Sequence, residues 1–174
     1  MTLSNQDIKK YILSGKLVFT PAISDDQIGA SSIDLTLDAI FWKFKKKYVK
    51  SKKPLDLSKT DFREATEEVR ASSLTLASGE MALGITKEKI SMPNDLLGSL
   101  EGRSRYARMG LAVHVTSALV MPGSNNHQVL EIVNFAPFPV TIHEGMRISQ
   151  VVFDEMKSPT TKPYAKFGKI AVKQ

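Results

Sequence analysis

Between Leu74 and Phe153 the chain is cut into short apolar runs by closely spaced turn residues, and this punctuation limits its fold more than any other feature. Gly79 interrupts Leu74–Ile85, Pro93-Asn94-Asp95 interrupts Ile90–Leu97, and His143-Glu144-Gly145 separates Val140-Thr141-Ile142 from Arg147–Phe153. Runs of that length are too short for packed helices, and their spacing suits strands joined by tight turns. The pattern predicts an all-β domain, either a barrel or a sandwich.

Length and composition narrow the class. A chain of 174 residues with 42% hydrophobic side chains can bury one substantial core, and neither a repeat nor a linker divides it, so a single domain over 1–174 is expected. No apolar run is long enough to span a bilayer, and the start MTLSNQDIKK lacks a signal-like apolar core. Zero cysteines exclude disulfides and thiolate metal sites. Together these features predict a cytoplasmic protein without a membrane partner. The net charge of +6 owes much to WKFKKKYVKSKK at residues 42–53. Lysines alternating with Phe44, Tyr48 and Val49 read as the solvated face of an exposed hairpin strand, guarding an edge rather than binding nucleic acid.

The chemistry concentrates in Glu101–Phe135, EGRSRYARMGLAVHVTSALVMPGSNNHQVLEIVNF. Ser104 and Arg108 are four residues apart, a spacing that puts hydroxyl and guanidinium on one face of a helical turn. Backbone N–H groups of that turn, with Arg103, Arg105 and Arg108, suit phosphate oxygens. Farther on, Val129-Leu130-Glu131-Ile132-Val133 sets one carboxylate in an apolar strand. Such a group needs a partner or a proton, and Arg108 and Ser104 are the evident candidates for pairing.

The remaining segments carry weaker signals. Ser4 caps a short amphipathic helix that presents Ile8, Tyr11 and Ile12 and stops at Gly15. Ile33, Leu35 and Leu37 alternate as in a half-buried strand, with Asp34 expected to fix the turn entering it by side-chain hydrogen bonds. Residues 54–70 read as a polar surface excursion with room for a helical turn and no assigned chemistry. The tail SPTTKPYAKFGKIAVKQ reads equally as a frayed end and as a lid, aromatic for a ring and cationic for phosphate. The histidines His114, His127 and His143 have no neighbouring acid or nucleophile in a recognisable pattern and are read as structural.

Several of these pieces carry a family resemblance. QIGASSIDLTL at 27–37, EGRSRYARMGLAVHVTS at 101–117, Pro122-Gly123, VLEIVN at 129–134 and GMRISQVVF at 145–153 resemble, in order, the dCTP deaminase branch of the dUTPase-like trimeric superfamily. The resemblance implies a mainly β protein. Its form would be a distorted β-barrel or jelly-roll of the β-clip type with a short N-terminal helix, assembled as a homotrimer. Active sites would lie at subunit interfaces, with residues 157–174 as a possible C-terminal lid. It further implies hydrolysis of dCTP to dUTP and ammonia, with Mg2+ bound by the triphosphate and no dedicated metal site on the protein. On the matching positions, Glu131 is the general base, while Ser104 and Arg108 orient water and glutamate. Arg103, Ser104 and Arg105 fall at the phosphates, Val129 and Leu130 lie along the pyrimidine and sugar, and Tyr164 and Lys166 match the lid. The zinc route to deamination is closed to a chain without cysteine, so a carboxylate must activate the water.

Two positions depart from the family pattern. Met121 stands where an aspartate usually precedes the proline-glycine turn, and a thioether can neither serve as a base nor accept from a sugar 3′-hydroxyl as a carboxylate does. Its presence argues against a dUTPase or a bifunctional deaminase and diphosphatase, and it is also what a non-catalytic nucleotide-binding paralogue would carry. Arg105 replaces a common serine and adds a cation near the phosphates.

Overall fold

The computed structural model describes residues 1–51, 53–114, 116–166 and 168. Its elements are α1 (Asn5–Leu13), β1 (Val18–Thr20), β2 (Ser32–Phe44), α2 (Lys46–Val49), α3 (Phe62–Ala65), β3 (Thr66–Arg70), β4 (Ser73–Leu76), β5 (Met81–Ser91), β6 (Leu96–Gly102) and α4 (Ser104–Ala107). These are followed by β7 (Leu111–Val113), β8 (Leu119–Val120), β9 (Asn125–Asn134), β10 (Val140–His143) and β11 (Arg147–Glu155). Among the described residues one sheet runs β7-β9-β5-β2-β11-β6-β8, with β1 added to β5 and β3 to β2, while β4 and β10 pair separately. These strand pairs are antiparallel, as expected of strands joined by turns.

The period of two explains where the core lies. Ile33, Leu35 and Leu37 of β2, Leu130 and Ile132 of β9, and Val151 and Phe153 of β11 are fully buried, and each contributes about 1.5–3 kcal/mol by leaving water. Alternate positions face outward, which carries Val129 and Glu131 to the other surface of β9. Helix α1 begins at its Ser4 cap, whose hydroxyl accepts from Asp7 N at 3.3 Å, and packs Ile8 on this core.

Three expectations are corrected. The lysine segment is strand only to Phe44; α2 follows, because β3 starts opposite Phe44 and no partner remains beyond it. Lys45 instead donates to Glu64 O at 2.9 Å, closing the excursion. Thr66–Arg70, read as surface excursion, is a strand whose polar sequence suits an edge with one neighbour. Asp34 does not fix the turn before β2. That work falls to Gln27, whose Nε2 donates to Asp34 O at 3.0 Å and to the buried Glu88 Oε1 at 2.9 Å.

The Asp34 carboxylate pairs with Arg103 Nη2 at 3.0 Å, between β2 and the residue capping α4. Burial pushes this carboxyl above its ordinary value, and Arg103 and Arg147 only partly offset it. A raised carboxyl binds its proton more readily folded than unfolded, so its ionisation costs stability as pH rises. Removing Arg103 leaves that charge unpaired. Arg103→Ala is therefore expected to lose about 1–3 kcal/mol at pH 7 and less at pH 4, where Asp34 takes up a proton. Denaturant midpoints of both proteins at the two pH values test this.

One glycine sets the approach to the site. Gly110 has φ +83°, and a Cβ there would stand 2.6 Å from Ala136 N. Its carbonyl accepts from Phe135 N at 2.8 Å, joining the end of α4 to the end of β9. Gly110→Ala is expected to cost about 1–2 kcal/mol from the left-handed backbone alone, with the clash in addition. Thermal unfolding of the variant measures the loss.

Candidate active site

Strand β9 positions the central carboxylate. It pairs with β5, placing Glu131 opposite Leu83, and with β7, placing Ile132 opposite Val113. Just past β7 the backbone turns at His114, at φ 56°, whose N–H donates to Glu131 O at 2.7 Å. The turn brings Thr116 over the carboxylate. Its backbone N–H and hydroxyl both donate to Glu131 Oε2, at 3.1 and 2.6 Å. Among the described residues no hydrogen bond to Oε1 occurs, so one oxygen is held by Thr116 and the other has no partner, on a residue that borders open space.

That space is a cavity of about 780 Å³. It is lined by Phe44, Phe62, Met81 and Leu83, by Glu131 and Val129 of β9, by residues 116–121, and by Ser124 and Tyr164. The described part of the tail is docked there. Tyr164 N donates to Pro122 O at 2.9 Å, Ala165 N to Gly123 O at 3.2 Å and Thr160 N to Asn94 O at 2.8 Å. Gly123 is required at this contact, since a Cβ would fall 2.5 Å from Pro163 Cβ. Lys166 is exposed and does not line the cavity, and Phe167 and 169–174 of the lid lie outside the described residues.

The structure thus gathers Glu131, Val129 and Tyr164, and separates them from the arginines. Leu130, placed by resemblance along pyrimidine and sugar, has its side chain in the core, because it alternates with Val129 and Glu131. Ser104 and Arg108 do share one turn, with Arg108 N donating to Ser104 O at 3.1 Å, but both are exposed and neither lines the cavity. They stand beyond the Asn134 end of β9. Arg105 is exposed and stacks 5.3 Å from the Tyr106 ring centre. Arg103 is engaged by Asp34 and by Arg147 O, the latter at 3.2 Å. Among the described residues the hydrogen-bond partner of the Glu131 carboxylate is Thr116, not Ser104 or Arg108.

Thr116 and the lining residue His114 were not legible as site residues. The hydroxyl of Thr116 reaches Glu131 only because the backbone turns at His114, a conformation that a non-glycine residue seldom announces. His114 Nε2 bonds Ser117 O, leaving Nδ1 buried without a partner. Phe62 reaches the cavity from the polar excursion, where its ring packs edge-on against Trp42 at 6.3 Å.

No group of three or more His, Asp or Glu side chains that could hold a metal ion occurs among the described residues. No helix among them is long and apolar enough to cross a membrane.

A curled antiparallel sheet with few, short helices and this strand arrangement is a fold shared with a solved protein. The solved 2′-deoxycytidine 5′-triphosphate deaminase from Agrobacterium tumefaciens superposes with a TM-score of 0.66 at 21% identity, over 87% of this chain and 48% of that one, so this chain spans about half its length. Residues 2–156 match the family model described as dCTP deaminase-like, and the chain belongs to that family. A dCTP deaminase of Rhodospirillum rubrum is 37% identical over 171 residues, covering 95% of this chain and 88% of the relative. A dUMP-forming dCTP deaminase of Dictyoglomus thermophilum is 39% identical over 168 residues, covering 95% and 86%.

Proposed function

We propose that this protein hydrolyses dCTP to dUTP and ammonia, with Glu131 as the base. The observation that carries the reading is the Glu131 carboxylate itself, half-buried on a cavity wall, with Oε2 held by Thr116 and no hydrogen bond to Oε1 among the described residues. In the reaction the oxygen of water bonds to C4 of the cytosine ring while Glu131 takes its proton. Glu131 delivers that proton to ring N3 and then carries the remaining proton of the C4 hydroxyl to the amine; the C4–N4 bond breaks, leaving a carbonyl at C4, N–H at N3 and ammonia. Magnesium enters with the triphosphate as part of the substrate, and no step runs through it.

Ser104 and Arg108 complete the site from a neighbouring copy in a homotrimer. Support comes from their surroundings: Met109, Phe135 and Phe138 are 55, 70 and 53% exposed on the segments next to α4. Apolar groups gathered that way favour a buried contact, and they would carry the α4 arginines with them into it. The docked tail over Pro122 and Gly123 supports a lid, and Tyr164 in the cavity wall supports its contact with nucleotide.

A second reading concerns the product. The Dictyoglomus relative is named dUMP-forming, so release of pyrophosphate competes with the simple deamination that Met121 favours. Incubation with dCTP and magnesium, following ammonia and nucleotides together, tests both. Ammonia with dUTP is the expected outcome, ammonia with dUMP establishes the bifunctional reading, and bound dCTP without ammonia overturns catalysis in favour of a nucleotide-binding paralogue.

A further inference from the structure

The fold leaves part of the lysine segment without the work of guarding an edge. Strand β2 ends at Phe44, yet Lys46, Lys47 and Lys50 follow it on α2. The cations around them are engaged within the chain: Lys43 Nζ pairs with Glu80 Oε1 at 2.8 Å, Lys45 Nζ donates to Glu64 O at 2.9 Å, and Lys47 Nζ lies 4.7 Å from the Tyr48 ring centre. Lys46 and Lys50 have no acidic partner among the described residues, although they stand one helical turn apart, a spacing at which like charges repel.

Both lysines line a second cavity, of about 310 Å³, which contains none of the residues assigned to the reaction. Phe44 and Val49 give it apolar surface, Lys43 and Glu80 neutralise each other, and Glu67 of β3 lines it without an ion pair among the described residues. Two ammonium groups one turn apart, each a compact charge with three donors, match neighbouring phosphates of one chain. An aromatic ring beside them suits a nucleobase, and an unpaired carboxylate accepts from the N–H groups of a base while repelling a further phosphate. The volume is that of a small-ligand pocket.

We propose that this cavity is a second nucleotide site, with the phosphate chain on Lys46 and Lys50, the base against Phe44, and its N–H groups at Glu67. The site neither includes Glu131 nor depends on the deamination proposed above. Phe44 lines both cavities, so the second site adjoins the first.

Trp42, the only tryptophan of the chain, immediately precedes Lys43 and Phe44, and its fluorescence reads the cavity. Titration with ATP and with inorganic triphosphate at low salt tests the site in three proteins: the wild type, Lys46→Gln/Lys50→Gln, and Lys9→Gln/Lys10→Gln. The last loses the same charge from α1 at positions that line neither cavity. The wild type is expected to bind both probes, ATP the more tightly through its base, and both more weakly as salt is added. Loss of Lys46 and Lys50 is expected to weaken both by about tenfold or more, while the α1 variant stays within about twofold of the wild type. Thermal unfolding of Lys46→Gln/Lys50→Gln is expected to match the wild type or lie above it, since a repelling pair is removed. No response of the wild type to either probe, or wild-type affinity in Lys46→Gln/Lys50→Gln, overturns the site. Equal weakening in the two variants also overturns it, in favour of net charge alone. Equal affinity of the wild type for ATP and inorganic triphosphate overturns the contacts with the base, and with them the assignment to a nucleotide.

Discussion

Glu131→Gln is expected to lower ammonia release from dCTP by about 10²–10⁴-fold while leaving nucleotide binding within a few-fold of the wild type. The amide keeps the shape of the side chain and can still accept from Thr116 N–H and hydroxyl through its oxygen, so Thr116 stays where it is. What it loses is the capacity to take a proton from water at the oxygen that Thr116 does not hold. Rate and affinity therefore separate, and single-turnover rates beside calorimetric affinities read the two effects independently. Equal loss of both would assign Glu131 to the architecture of the turn rather than to the chemistry.

The degree to which this site could be read in advance follows from which features are local. The alternation of Ile33, Leu35 and Leu37, the Ser4 cap and the turns at Gly79 and Gly145 are dictated by neighbours in the chain, and the structure follows them. Glu131 stood out because an acid in an apolar run is locally anomalous. Its partner did not, because Thr116 reaches it through a backbone reversal at His114 and fifteen residues of separation. Arg103 looked free for phosphate until the fold set Asp34 beside it. Likewise β3 is polar because it lies at an edge, and only its pairing with β2 reveals it as a strand.

The second large effect concerns the arginine turn. Arg108→Ala is expected to reduce turnover by about 10²-fold or more, as loss of a positioned charge beside the attacking water requires. Yet Arg108 does not line the cavity that contains Glu131 in one chain. If a neighbouring copy supplies it, each site needs an intact Glu131 from one subunit and an intact Arg108 from the next. Neither variant alone provides such a pair. Trimers assembled from both at random do so at about a quarter of their sites, because each site depends on two independent subunit choices in a closed ring.

Ammonia release from dCTP by co-expressed Glu131→Gln and Arg108→Ala chains is accordingly the most direct test of a Glu131 site completed between subunits. Activity of about a quarter of the wild type is expected from two proteins that are each nearly inactive. Mixed assemblies no more active than either parent would contradict it and return the search for the partner of Glu131 to residues of its own chain.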